Sequence, residues 1–232
     1  HTVLFEAGGI SALGGVHSRQ IPNQPDGSLD LQDILHAIRS DDIHCPPTRL
    51  ISLENTHNRC GGSALSAAYT RAVGELAYEH GIKLHIDGAR LFNAAAAQGL
   101  RAAELAAPAD SVCICLSKGL CAPVGSVLCG NADFIQRARR IRKQLGGGMR
   151  QAGVLAAAGI VALETMVDRL AEDHQRARLL AQGLELIDGL VLDPGTPHTN
   201  MVFCKLSDSI PFDAEETAAR LAGRGVKVSG VS

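Results

Sequence analysis

The chain has 232 residues, of which 46% are hydrophobic, only 3% aromatic and none Trp, so its core is expected to be built from Ala, Val, Leu and Ile. A formal net charge of -2 gives no electrostatic ground for a nucleic acid or an anionic membrane as partner. The length accommodates one large domain plus part of a smaller one.

Strand-like runs alternate with helical patterns along the chain. Residues 2–5 are a short apolar run closed by Gly8-Gly9, and residues 30–40 show helical spacing in Leu31, Ile34, Leu35 and Ile38. A strand over 50–53 ends in Glu54-Asn55-Thr56, and a helix over 66–80 is stopped by Gly81. The next strand, 83–86, runs into Asp87-Gly88. After a short helix over 101–105, a strand over 111–116 ends in Ser117-Lys118-Gly119. A further strand over 124–129 precedes a helix capped by Asn131 and running to Leu145, then Gly146-Gly147-Gly148. The helical pattern over 151–187 is long enough that a break is expected within it. Beyond Leu190 the character changes, with strands over 201–205 and 226–228 around a helix over 213–222. The expected architecture is α/β, a mostly parallel sheet covered by helices in a large domain (1–188), followed by a truncated small α/β domain (189–232).

Seven cysteines, Cys45, Cys60, Cys113, Cys115, Cys121, Cys129 and Cys204, form no regular framework, which points to reduced thiols and a cytoplasmic setting. Neither CxxC nor zinc-type spacing occurs, so no metal site is expected. No apolar stretch reaches the length of a membrane span, the Ala-rich run 152–163 reading as short and amphipathic, and no signal peptide is seen. A chain starting at His1 and stopping just after a strand-like Val-Lys-Val is expected to be cut at both ends.

In sheets of this kind ligands gather at the carboxyl ends of strands. Asn55, Asp87 and Lys118 follow or end three of the expected strands. Taken singly, Asp-Gly after a strand is a turn and a lone Lys there a solvated residue. Together they offer an amine and a carboxylate, which a pyridoxal cofactor needs: the amine holds its aldehyde and the carboxylate keeps its ring nitrogen protonated. Apolar residues on both sides of Lys118, from Val112 to Leu116 and from Leu120 to Val124, argue that this lysine is withdrawn from solvent.

Several ordered motifs carry a resemblance. His85-Ile86-Asp87-Gly88-Ala89-Arg90-Leu91-Phe92-Asn93, Leu116-Ser117-Lys118-Gly119-Leu120-Cys121-Ala122-Pro123-Val124-Gly125 and Gly146-Gly147-Gly148-Met149-Arg150-Gln151-Ala152-Gly153 resemble the low-specificity threonine aldolases. These belong to the β-eliminating-lyase group of fold-type-I pyridoxal enzymes. Phe5-Glu6 and Leu53-Glu54-Asn55-Thr56-His57-Asn58 fit the same pattern, and the resemblance covers nearly the whole chain.

The resemblance implies pyridoxal 5'-phosphate as cofactor, with Lys118 as its Schiff-base lysine and Asp87 as partner of the ring nitrogen. Arg90 matches the arginine that contacts the cofactor's phenolic oxygen and the substrate carboxylate; read alone, it is an exposed helix-start arginine. His1 matches the histidine stacked on the ring. His44 matches a histidine near the substrate β-hydroxyl and is a candidate base, although Cys45 follows it where the family usually has an aromatic; read alone, it is a surface-loop histidine. Lys143 and Arg150 match basic residues that approach the cofactor phosphate, partly across a subunit boundary, and otherwise read as cations offsetting a helix dipole. His57 and His85 read as structural, His85 bracing Asp87. The family's phosphate-gripping turn and its C-terminal arginine segment are expected to lie outside these residues.

The implied reaction is cleavage of L-threonine or L-allo-threonine, a small β-hydroxy-α-amino acid, to glycine and acetaldehyde by a homotetramer with shared active sites. Another pyridoxal-dependent β-eliminating or hydroxymethyl-cleaving lyase would use Lys118 and Asp87 equally well. A catalytically dead homologue kept for assembly is the reading of another class, and the intact Lys118, Asp87 and Arg90 speak against it.

Overall fold

A computed structural model describes residues 2–229. The elements in order are α1 (Gly9–Ala12), α2 (Leu31–Ala37), β1 (Leu50–Glu54), α3 (Ala67–Glu79), β2 (Lys83–Asp87), α4 (Leu91–Gln98), α5 (Ala102–Ala106), β3 (Ser111–Cys115), β4 (Ser126–Gly130), α6 (Ala132–Gln144), α7 (Gly153–Thr165), α8 (Leu170–Glu185), β5 (Leu190–Leu192), β6 (Cys204–Leu206) and α9 (Ala214–Ala222). The main sheet is four-stranded in the order β1-β2-β3-β4, with β1, β2 and β3 parallel and β4 antiparallel. The mostly parallel, helix-covered α/β architecture is the one expected.

Local chemistry sets the element ends. Asp30 accepts from the backbone N–H of Gln32 and Asp33, Ser66 from Tyr69, Asn131 from Phe134 and Asp213 from Glu216, each side chain satisfying donors that a helix start leaves unpaired. The apolar residues then fill layers. Ile34, Ile51, Leu53, Val73, Ile82 and Leu84 pack between β1–β2 and helices α2 and α3. Ile86, Leu91, Ala94, Leu105 and Val112 continue the core between β2–β3 and helices α4 and α5. On β2 the buried Leu84 and Ile86 alternate with the less buried His85 and Asp87, so the strand pleat turns these two polar side chains to the other face.

Four expectations are corrected. Residues 2–5 form turns rather than a strand, and 226–228 form no strand. The second sheet is an antiparallel β5–β6 pair with α9 after it, not a βαβ unit, and its second strand lies at Cys204–Leu206 rather than 201–205. The expected unit of strand 201–205, helix 213–222 and strand 226–228 fails because 226–228 form no strand. Cys204–Leu206 pairs instead with Leu190–Leu192 across a connection too short for a crossover helix. Finally, α7 is not amphipathic: its apolar residues lie on all sides, with Gly159 and Ala162 buried and Val154, Ile160 and Val161 exposed. The expected break in the long helical stretch is found between α7 and α8 at residues 166–169. No helix among the described residues is long and apolar enough to cross a membrane.

Candidate active site

The carboxyl ends of β1, β2 and β3 lie side by side, with Glu54 in register with Asp87 and Asp87 with Cys113. Asp87 is half-buried. Burial pushes its carboxyl above the ordinary range, the Glu54 carboxylate pushes the same way, and the Lys118 ammonium draws it back down. Asp87 and Lys118 are therefore electrostatic partners across neighbouring strand ends. From Asp87 the chain turns at Gly88, whose N–H donates to Cys113 O at 2.8 Å, and enters α4 through Arg90 at its N-terminal cap position. The Arg90 guanidinium is partly buried, which lowers its pKa, yet an arginine remains charged at physiological pH.

Lys118 departs from expectation in one respect: it is exposed, not withdrawn from solvent. Its apolar neighbours are the reason. Leu116, Leu120 and Ala122 turn inward to join Ala162 and Leu170 in a third core cluster, which leaves the residues between them on the outside of the turn. Cys121 N–H donates to Lys118 O at 2.9 Å and closes that turn. The exposure is into a cleft of about 410 Å³ whose walls include Arg90, Lys118, Arg169, Asp173, Arg176 and Asn200. That volume is in the usual range for a small-molecule site. Against one carboxylate, Asp173, stand four cationic side chains, so the cleft favours an anionic ligand.

Other strand-end residues serve the scaffold. Asn55 is buried, and its carboxamide is engaged at both ends by Leu65: Nδ2 donates to Leu65 O at 3.4 Å and Oδ1 accepts from Leu65 N at 3.2 Å. His85 Nδ1 lies 2.8 Å from Ser111 Oγ, and burial holds its pKa below the ordinary histidine value. His57 is buried with Nε2 3.6 Å from Glu54 Oε2 and is likewise held low by burial.

Three candidates stand away from this cleft within one chain. His44 is exposed in the loop after α2, its Nδ1 2.8 Å from Asp42 Oδ1. Lys143 is in the last turn of α6 and Arg150 follows the glycines; both are exposed. The Lys143 side chain folds over Gly148, where a Cβ would lie 2.7 Å from its Nζ. His1 lies outside the described residues. Sequence reasoning missed Asn200, Arg169, Asp173 and Arg176. Asn200 reaches the cleft because Thr199, beside it, donates from Oγ1 to Gly62 O at 2.9 Å, docking the second unit against the loop after β1. Asn200 Oδ1 is buried without a hydrogen-bond partner among the described residues.

Fold and site together define an α/β protein that presents an amine, a carboxylate and a guanidinium at the carboxyl edge of a parallel sheet, where such folds bind small molecules. Within that class the chain belongs to the beta-eliminating lyase family, whose sequence pattern matches residues 1–208. Low-specificity L-threonine aldolase 1 of Arabidopsis thaliana is 49% identical over 228 residues, covering 97% of this chain and 64% of its own length. The low specificity L-threonine aldolase of Escherichia coli (strain K12) is 46% identical over 221 residues, 95% of this chain and 62% of its own. A Listeria monocytogenes structure provisionally assigned as an L-allo-threonine aldolase superposes with a TM-score of 0.82 at 26% identity, over 100% of this chain and 62% of its own. The chain thus spans just under two thirds of each of them.

Proposed function

We propose that this chain carries the catalytic centre of a pyridoxal 5'-phosphate-dependent carbon–carbon lyase that cleaves L-threonine and L-allo-threonine to glycine and acetaldehyde. The observation that carries the reading is the Lys118–Asp87 pair, an amine and a half-buried carboxylate electrostatically coupled at adjacent strand ends. The donor set fits the cofactor: an amine to bind an aldehyde, an anion to hold a ring proton, Arg90 for an oxyanion, and a cationic cleft of adequate size. When bound, pyridoxal phosphate supplies an aldehyde for amine capture and a ring that accepts the electron pair of a breaking Cα bond.

This chain's residues do the rest. Lys118 Nζ would be the amine that holds the cofactor's aldehyde. Asp87 holds a proton at the ring nitrogen, because an adjacent anion favours the protonated ring. Arg90 binds a carboxylate through its planar fork and so fixes which substrate bond stands to be cleaved. His44 is the candidate base for the β-hydroxyl proton at Nε2, with Asp42 at Nδ1 to orient its ring. Because it stands away from its own chain's cleft, it would serve the site of a neighbouring subunit. The family resemblance alone gives His1, which lies outside the described residues, a role against the cofactor ring. No metal is assigned a role.

Lys143 and Arg150 bind the cofactor phosphate of a neighbouring subunit in a homotetramer with shared sites. Their position away from their own chain's cleft supports this, as does the exposed apolar surface of α7, with Val154 71% and Val161 58% exposed. The compartment is the cytoplasm, a reading supported by seven free thiols. The large and small domains divide at about residue 188, where β5 opens the second sheet.

The discriminating experiment is product analysis of the full-length protein supplied with pyridoxal phosphate and L-threonine, L-allo-threonine or L-serine. Acetaldehyde and glycine in equal amounts are expected from the first two. Ammonia with a keto acid would instead assign a β-eliminating lyase, and no product with any of them would favour a binding homologue.

A further inference from the structure

The turn that carries Lys118 is backed by a buried polar contact that none of the steps above uses. Asn93 on α4 is 1% exposed and His174 on α8 is 3% exposed, and Asn93 Nδ2 donates to His174 Nε2 at 3.1 Å. An amide donor requires an acceptor there, so the imidazole is neutral with its proton on Nδ1. Burial, which holds His174 below the ordinary histidine value, acts in the same sense. The Asn93 amide is wedged between this ring and the residue after Lys118. A Cβ built on Gly119 would lie 2.7 Å from Asn93 Oδ1 and 3.2 Å from Leu170 Cδ2. Gly119 is thus required because the amide and Leu170 occupy the side-chain position. Leu170 and His174 are four residues apart on α8 and share one helix face, which presses on both Gly119 and Asn93.

We propose that Asn93, fixed by His174, is a positioning residue for Lys118. Its amide sets where the 118–121 turn sits and hence the direction from which the Lys118 amine reaches a carbonyl. Leu116 and Leu120 anchor that turn in the core on either side of the lysine, and the Asn93 amide is its polar backstop. The inference rests on the reading of Lys118 as the Schiff-base lysine. The same contact ties α4, which follows Arg90, to α8, whose first residues line the cleft, so the two walls are held in one register.

The test follows the rate at which the visible Schiff-base band appears when pyridoxal 5'-phosphate is added to the cofactor-free full-length protein. Melting temperature is recorded alongside for wild type, His174→Leu, His174→Gln and Gly119→Ala. His174→Leu, which removes the acceptor, is expected to slow band formation about tenfold, since misplacing a reacting group by about 1 Å costs up to about a hundredfold. His174→Gln, whose Oε1 accepts from Asn93, is expected to recover to within about threefold on the same scale. Gly119→Ala, which pushes the amide directly, is expected to slow the reaction as His174→Leu does. Lowered melting temperatures with a wild-type rate in both His174→Leu and Gly119→Ala would mean that the pair only holds the fold. A slow His174→Gln would overturn the role of the hydrogen bond. Borohydride trapping and peptide mapping of the wild type separate the two readings: an adduct away from Lys118 sinks the functional assignment and this inference with it, whereas an adduct on Lys118 leaves the kinetic comparison to decide.

Discussion

At the scale of single residues, the site depends on a carboxylate kept in an expensive place. Asp87 is half-buried and faces Glu54 in register, and both circumstances favour its protonated form; Lys118 is the cation that opposes them. Lys118→Ala is therefore expected to raise the Asp87 pKa further. Asp87→Asn keeps the shape but removes the anion that holds a ring proton. Its expected cost is about 10²- to 10⁴-fold in kcat, the usual range for losing a proton-handling group, with the Schiff base still formed. Steady-state kinetics with the absorbance spectrum checks this; a kcat within about threefold of wild type, far below that range, would show that Asp87 has another task. These residues were legible because each needs only its own strand end and its own chemistry. Asn200 was not. Its place in the cleft follows from Thr199 bonding to Gly62, residues remote in sequence that no local pattern connects. Lys118 was legible in identity and misjudged in burial, since apolar neighbours show that a turn is anchored but not which side its odd residue takes.

At the scale of elements, strand and helix identities were readable where a periodic apolar run met a capping residue. Asn131 before α6 is such a case, its Oδ1 accepting from Phe134 N at 2.9 Å. Asn131→Ala is expected to lower stability by about 1 kcal/mol with little effect on the cleft, as measured by thermal or denaturant unfolding. The 226–228 run had strand-like composition but pairs with no strand among the described residues, and composition alone makes no ladder. The elements also set an acid limit. His57, His85 and His174 are each held by burial below the ordinary value of 6.5. The unfolded chain takes up these protons first, so stability is expected to fall as pH drops from about 6.5 towards the lowered folded values. The raised carboxyl of Asp87 works the opposite way at lower pH, by binding a proton more readily in the folded state. Melting temperatures across this range should fall less steeply in His174→Gln than in wild type; equal slopes would remove His174 from the explanation.

At the scale of the whole molecule, the described surface is unlike that of a self-sufficient monomer. α7 is apolar on all sides yet exposes Val154, Ile160 and Val161, and every residue of β4 is exposed. Such a surface calls for a cover. A second copy is the proposed cover, because it would also bring Lys143 and Arg150 to a neighbour's cleft. If the proposed tetramer forms through this face, Ile160→Glu combined with Val161→Glu is expected to give smaller assemblies of the full-length protein in light scattering and to weaken cofactor binding. A tetramer that withstands both changes would place the interface elsewhere. Sequence alone disclosed little at this scale, because α7 reads as an ordinary Ala-rich helix until the fold shows which of its sides are left open.

The central claim is that one lysine of this chain holds the cofactor. Borohydride reduction of the full-length protein loaded with pyridoxal phosphate, followed by peptide mapping, tests it directly. A single reduced adduct on Lys118, absent from Lys118→Ala, is the expected result. An adduct on Lys83, Lys143, Lys205 or Lys227, or one undiminished in Lys118→Ala, would contradict it.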